Sequence, residues 1–104
     1  MIQEIAKIDV KPGSEEAFEA AVSAARPIFA AAAGCHGFEL HRLIEEPSTY
    51  RLFVQWETLE HHTEAFRNSE GFQAWRALAG PYFATPPVVF HSAVKVTLPN
   101  PHAT

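Results

Sequence analysis

Residues 35–57 read CHGFELHRLIEEPSTYRLFVQWE. Phe38, Leu40, Arg42 and Ile44 alternate with Glu39, His41 and Leu43. After the turn-forming EEPST, Tyr50, Leu52, Val54 and Trp56 alternate with Arg51, Phe53 and Gln55. This period of two predicts a pair of strands joined by a short turn. The second strand carries apolar residues on both faces, which an antiparallel sheet with one wet side does not need. Both faces of the sheet should therefore be covered.

On the N-terminal side, Ile2, Glu4, Ala6, Ile8 and Val10 alternate with Gln3, Ile5, Lys7 and Asp9, which predicts a further strand. KPGSEE makes a turn, with Ser14 as N-cap and Glu15 and Glu16 in the favourable first turn of a helix over residues 14–33. Phe18, Val22, Ala25, Phe29 and Ala32 fall on one stripe of that helix. Pro27 removes the bond to the Ser23 carbonyl, so a bend or early end is expected there, and Gly34 closes the segment. Beyond Trp56, Thr58 caps a helix reaching about residue 67 and Ser69 caps another reaching about residue 79. GPY and TPP then break the chain before a last strand, VVFHSAVKV, at residues 88–96.

The order strand, helix, strand, strand, helix pair, strand predicts an α+β fold of the ferredoxin-like βαββαβ kind with a four-stranded antiparallel sheet. Helices cover one face. Leu43, Phe53 and Ile5 lie on or near the other, so a second copy is its simplest cover, and two copies packed sheet to sheet would form a dimeric α+β barrel. Residues 1–97 form the expected domain and residues 98–104 a loosely held tail.

The 104 residues are 47% hydrophobic and 19% charged with a net charge of −4, a globular balance for one domain. No Lys/Arg cluster answers nucleic acid or anionic lipid, and no apolar run approaches the ~20 residues of a membrane span, so neither partner is expected. The start does not read as a secretory signal and Cys35 is the one cysteine, so a reducing cytoplasm is the expected location.

The polar residues of HHTEAFRNSEGFQAWR, residues 61–76, carry the candidate chemistry. With Leu59, Thr63 and Phe66 setting the inward direction, His62 lies about 60° from Leu59 and His61 about 160° away, so His62 points in and His61 out. Phe72, Trp75 and Ala79 set the next stripe, and Arg76 falls within it. An inward guanidinium needs an ion pair, a stack on Trp75, or the oxygen of a bound anion. His62 is either a hydrogen-bonded core histidine or a general base. Strand parity does not fix the faces of His41 and His91. No close ligand pair of the HExxH or CxxC kind occurs, so no metal is expected. The many aromatics are mostly core, yet large rings between a sheet and short helices leave room for a flat ligand.

Residues 54–91, VQWETLEHHTEAFRNSEGFQAWRALAGPYFATPPVVFH, with VKPG before an acidic helix and GCHGFELHR entering a strand, resemble the antibiotic biosynthesis monooxygenase family. The resemblance extends to about Val96 and implies a dimeric barrel and cofactor-independent oxygenation of quinol, anthrone or related polyketide aromatics. Where many members carry a histidine three residues before the turn serine, this chain has Phe66, with His62 one turn earlier. The residues on which the haem-degrading branch relies are replaced by Ala6, Phe66 and Arg76. The expectation is therefore a small oxygenase without flavin or metal, acting with O2 on an electron-rich aromatic. His62 and Arg76 are its expected catalytic residues. Trp56, Phe66, Phe72, Trp75, Phe83 and His91 would form the substrate wall. The alternative is a binding module or an isomerase on the same scaffold.

Overall fold

A computed structural model describes residues 1–102 of the chain. Strand β1 spans Ile2–Asp9, β2 Cys35–Arg42, β3 Thr49–Trp56 and β4 Val88–Ser92. They make one antiparallel sheet in the order β2-β3-β1-β4. The ferredoxin-like topology is as expected. Every second residue of β1 and β3 faces the helices, which buries Ala6, Ile8, Tyr50, Leu52, Val54 and Trp56 completely or nearly so.

Pro27 splits the first helix. Helix α1 spans Glu15–Ala24 and α2 Arg26–Ala31, with Pro27 in the first turn of α2, where a missing N–H costs nothing. Arg26 Nε donates to the Ser23 carbonyl that the proline leaves without its helical partner. Phe18, Val22, Ala25 and Phe29 are buried as the stripe predicted. Ser14 stands at the N-cap position, but its side chain accepts no capping bond; Glu15 instead accepts from the Gly13 N–H.

Thr58 Oγ1 accepts from the His61 N–H, and Ser69 Oγ accepts from the Phe72 N–H to start α3, Glu70–Ala79. Between them lies a correction to the uniform 100° helix. Residues His61–Phe66 form a π-helix, in which the Arg67 N–H reaches back to the His62 carbonyl. The wider turn aligns His62 with Phe66 as the buried pair and turns Leu59 out to 39% exposure. His62 does point inward, while Leu59 does not mark the inward direction.

Strand β4 also ends earlier than VVFHSAVKV implied, at Ser92, and Val94 and Val96 beyond it are exposed. Phe90 departs from the expectation that the aromatics are mostly core: it faces away from the helices and is 59% exposed. Register puts it beside Ile5, which in turn pairs with Phe53. The outer sheet face thus carries an apolar row, Phe53–Ile5–Phe90, with Gln55, Gln3 and Ser92 on one side and Arg51, Lys7 and Val88 on the other. No described helix is long and apolar enough to cross a membrane.

Candidate functional site

The helix side of the sheet holds a cavity of about 560 Å³ whose floor is β1 and β3, through Glu4, Ala6, Ile8 and Leu52. Phe72 and Trp75 of α3 form one wall and Phe83 another. The chain at residues 84–87 closes a side, while Arg67 and Arg76 stand at the rim.

Glu4 is the residue that the sequence reading did not single out. It occupies an inward position of β1, is 6% exposed, and stands directly opposite Val54 of β3 and His91 of β4. Trp56 sits diagonally across on the same face, near enough for its long ring to reach. The indole Nε1–H donates to Glu4 Oε1 at 2.9 Å. His62 Nε2 lies 3.3 Å from the same oxygen. The other ring nitrogen, His62 Nδ1, lies 2.8 Å from His91 Nε2. A continuous line of polar groups therefore runs from the cavity floor at Glu4, through His62, to His91 on the exposed edge strand β4.

The two histidine questions are settled by this register. His91 faces the helices, on the same side as Glu4. His41 faces the other way, with its ring 4.8 Å from Phe53 and its Nε2 3.1 Å from Glu39. His62 also lines the cavity; its Nδ1 is hydrogen-bonded to His91, and its Nε2 has Glu4 Oε1 3.3 Å away as its near neighbour. The three groups form a line and do not converge on a point. Among the described residues no cluster of His, Cys, Asp and Glu is placed to hold a metal ion.

Burial sets the charges. Removal from water pushes the Glu4 carboxyl up to about 7, against smaller downward pulls from the Trp56 hydrogen bond and the Arg67 charge. Burial likewise pushes His62 down to about 4, helped by the charges of Arg67 and His91. Burial and Arg67 also lower His91. At neutral pH His62 is uncharged and Glu4 sits near its midpoint.

A stability prediction follows with opposite signs for the two groups. Glu4 holds its proton more tightly folded than unfolded, so its contribution is complete below the ordinary value of 4.5 and is lost as pH rises through about 7. His62 does the reverse: its contribution is present above the ordinary 6.5 and is lost as pH falls towards about 4. Glu4→Gln removes only the first effect. Urea unfolding of both proteins should show the wild type losing about 3 kcal/mol relative to the variant between pH 4.5 and about 8. Parallel stability curves would contradict a perturbed Glu4.

The expected site residues divide into three groups. Phe72, Trp75 and Phe83 do line the cavity. Trp56 and Phe66 lie behind it as core: Trp56 is fully buried, stacked on His62 at 5.4 Å and 18° and packed on Phe66 at 5.3 Å. Arg76 is corrected most. It is exposed at the cavity rim, over the ring of Phe72 at 5.9 Å and not over Trp75, and it makes no ion pair among the described residues. At the C-terminal side of the Phe72–Trp75 stripe, its long stem carries the charge out to water. Arg67 is the guanidinium whose charge reaches Glu4, His62 and His91.

Residues 1–78 match the antibiotic biosynthesis monooxygenase family. The chain belongs to that family. A Bordetella bronchiseptica protein, described provisionally as an antibiotic biosynthesis monooxygenase, has a crystal structure with 54% sequence identity and a TM-score of 0.90, covering 91% of this chain and 97% of that one. The Bacillus subtilis (strain 168) protein YczJ, uncharacterised, is 41% identical over 91 residues, 88% of this chain and 96% of its own length. SnoaB of Streptomyces nogalater, a cofactor-independent oxygenase whose crystal structure is that of a mutant form, is 17% identical with a TM-score of 0.79, over 95% of this chain and 97% of that one. At that identity the likeness to SnoaB is one of fold. Family membership, the sheet and the helix-side cavity stand together.

Proposed function

We propose that this family member is a cofactor-independent monooxygenase acting on a small electron-rich aromatic of the quinol, anthrone or polyketide type, in the cytoplasm. The observation that carries the reading is the cavity itself: a mainly apolar space between Ile8, Leu52, Phe72, Trp75 and Phe83, with Glu4 and His62 lining it and two guanidinium groups at its rim. A phenolic or enolic substrate gives up a proton to the Glu4–His62 pair, and Arg76 and Arg67 hold the resulting oxyanion. That anion is electron-rich enough to reduce O2 directly. For an anthrone the ring CH2 becomes C=O, one oxygen atom enters the product and the other leaves as water. The aromatic wall keeps bulk water from the reactive intermediate. That the same fold serves a cofactor-independent oxygenase in SnoaB supports this chemistry.

The test is product mass after reaction of the metal-free protein with an anthrone under 18O2. The expected product carries one labelled oxygen. Unlabelled product would make the chemistry an isomerisation or a hydrolysis.

The apolar row on the outer sheet face supports a homodimer packed sheet to sheet, which closes the α+β barrel. Sedimentation at micromolar concentration is expected to give a dimer, and Phe53→Asp is expected to shift it towards monomer. A wild-type monomer at that concentration would contradict the barrel.

A further inference from the structure

We propose that Glu4, not His62, is the group that takes the substrate's proton, and that His62 and His91 form a two-imidazole relay returning that proton to solvent. This deepens the oxygenase reading and rests on the cavity accepting a phenol-type substrate. The sequence makes His62 the base, but each of its ring nitrogens already has a proton-exchange neighbour within the protein: Nδ1 is bonded to His91 and Nε2 lies 3.3 Å from Glu4 Oε1. Glu4 differs. Its Oε1 receives Trp56 Nε1–H and faces His62, whereas Oε2 has no hydrogen-bond partner among the described residues, and the carboxyl lines the cavity. The free oxygen is the acceptor that a substrate hydroxyl in this space would meet.

In the first step the substrate O–H bond breaks, the proton bonds to Glu4, and the electron pair stays on the substrate oxygen. In the tautomer with hydrogen on His62 Nδ1, His62 then takes the Glu4 proton at Nε2 and passes its Nδ1 proton to His91 Nε2. His91 releases its Nδ1 proton to water. One proton has moved from substrate to solvent, and Glu4 is again a carboxylate. His91 suits the outlet because it stands on an edge strand, exposed to solvent, while His62 is 3% exposed. The neighbours bearing on the carboxyl fit this duty: Trp56 donates to it from β3, the Cys35 thiol of β2 is held up mainly by burial, with the Glu4 charge adding to it, and Arg67 is the cation that acts on all three members of the line. Arg76 remains at the rim.

The test separates proton transfer from oxygen chemistry. The protein is mixed without O2 with a nitrophenol that is largely un-ionised in the buffer. Absorbance reads phenolate formation and an indicator dye reads proton release. Wild type should ionise the bound nitrophenol and release the proton on the same timescale. Glu4→Gln, which keeps an acceptor for the Trp56 N–H, should lose at least tenfold in the bound phenolate-to-phenol ratio while its thermal unfolding stays cooperative. His91→Ala, at an exposed position, should ionise the nitrophenol normally but release the proton about tenfold more slowly, a decoupling that a structural role would not produce. Undiminished ionisation in Glu4→Gln would overturn the base, and unchanged release in His91→Ala would overturn the relay. Glu4-dependent ionisation without O2 uptake on any phenol would support the proposal and remove the oxygenase reading. Uptake that survives Glu4→Gln intact would do the opposite.

Discussion

Trp56→Ala is expected to lower the unfolding free energy by about 3–5 kcal/mol, the range for removing a fully buried large aromatic. The ring is inaccessible to solvent and is held between His62 and Phe66. Its loss opens a cavity on the helix side at the end of β3 and also strips Glu4 of its 2.9 Å donor. Domains of this size have only about 5–15 kcal/mol in total, so the variant should unfold at much lower urea and show little cooperative structure on mild heating. Trp56→Phe separates the two contributions. It keeps most of the packing and loses only the N–H, for an expected cost of about 1–2 kcal/mol and a further rise of the Glu4 pKa, since the Trp56 bond is the larger of the two pulls, with the Arg67 charge, that hold it down. A Trp56→Ala protein within about 1 kcal/mol of wild type would contradict the packing described.

His62→Ala is expected to reduce oxygen uptake with a good quinol by about 10²–10⁴-fold, the range for losing a positioned proton-transfer group. Substrate affinity should change little, because the cavity wall is made mainly by Phe72, Trp75 and Phe83. His62 is the one group that bridges Glu4 and His91, so its removal strands a proton on the carboxyl at the end of each turnover. A fall confined to KM would make His62 a binding residue instead.

The sheet was the most legible part of the sequence. Strict alternation in residues 50–56 and in β1 left one way to bury Tyr50, Leu52, Val54 and Trp56 against Ala6 and Ile8. The break at Pro27 was equally legible, since a missing N–H acts locally. The π-helix was not. Its extra residue per turn comes from a register that sequence periodicity at 100° cannot express, which is why Leu59 was read as inward. Arg76 illustrates a second difficulty, because a stripe on a helical wheel fixes the direction of Cβ, while a long side chain ends several ångströms away. Glu4 could have been found by the reasoning applied to the arginines: it is a carboxylate at an inward position of an otherwise apolar strand face, and such a group requires a donor. Its partners lie 52 residues away at Trp56 and on two other elements at His62 and His91, contacts that only the folded sheet brings together.

Oxygen uptake by the purified, metal-free protein with a panel of hydroquinones and anthrones, repeated with His62→Ala, tests the central claim most directly. Uptake by wild type on at least one member, lost at least about a hundredfold in the variant, is the predicted result. No uptake on any member, or uptake indifferent to His62, would contradict it.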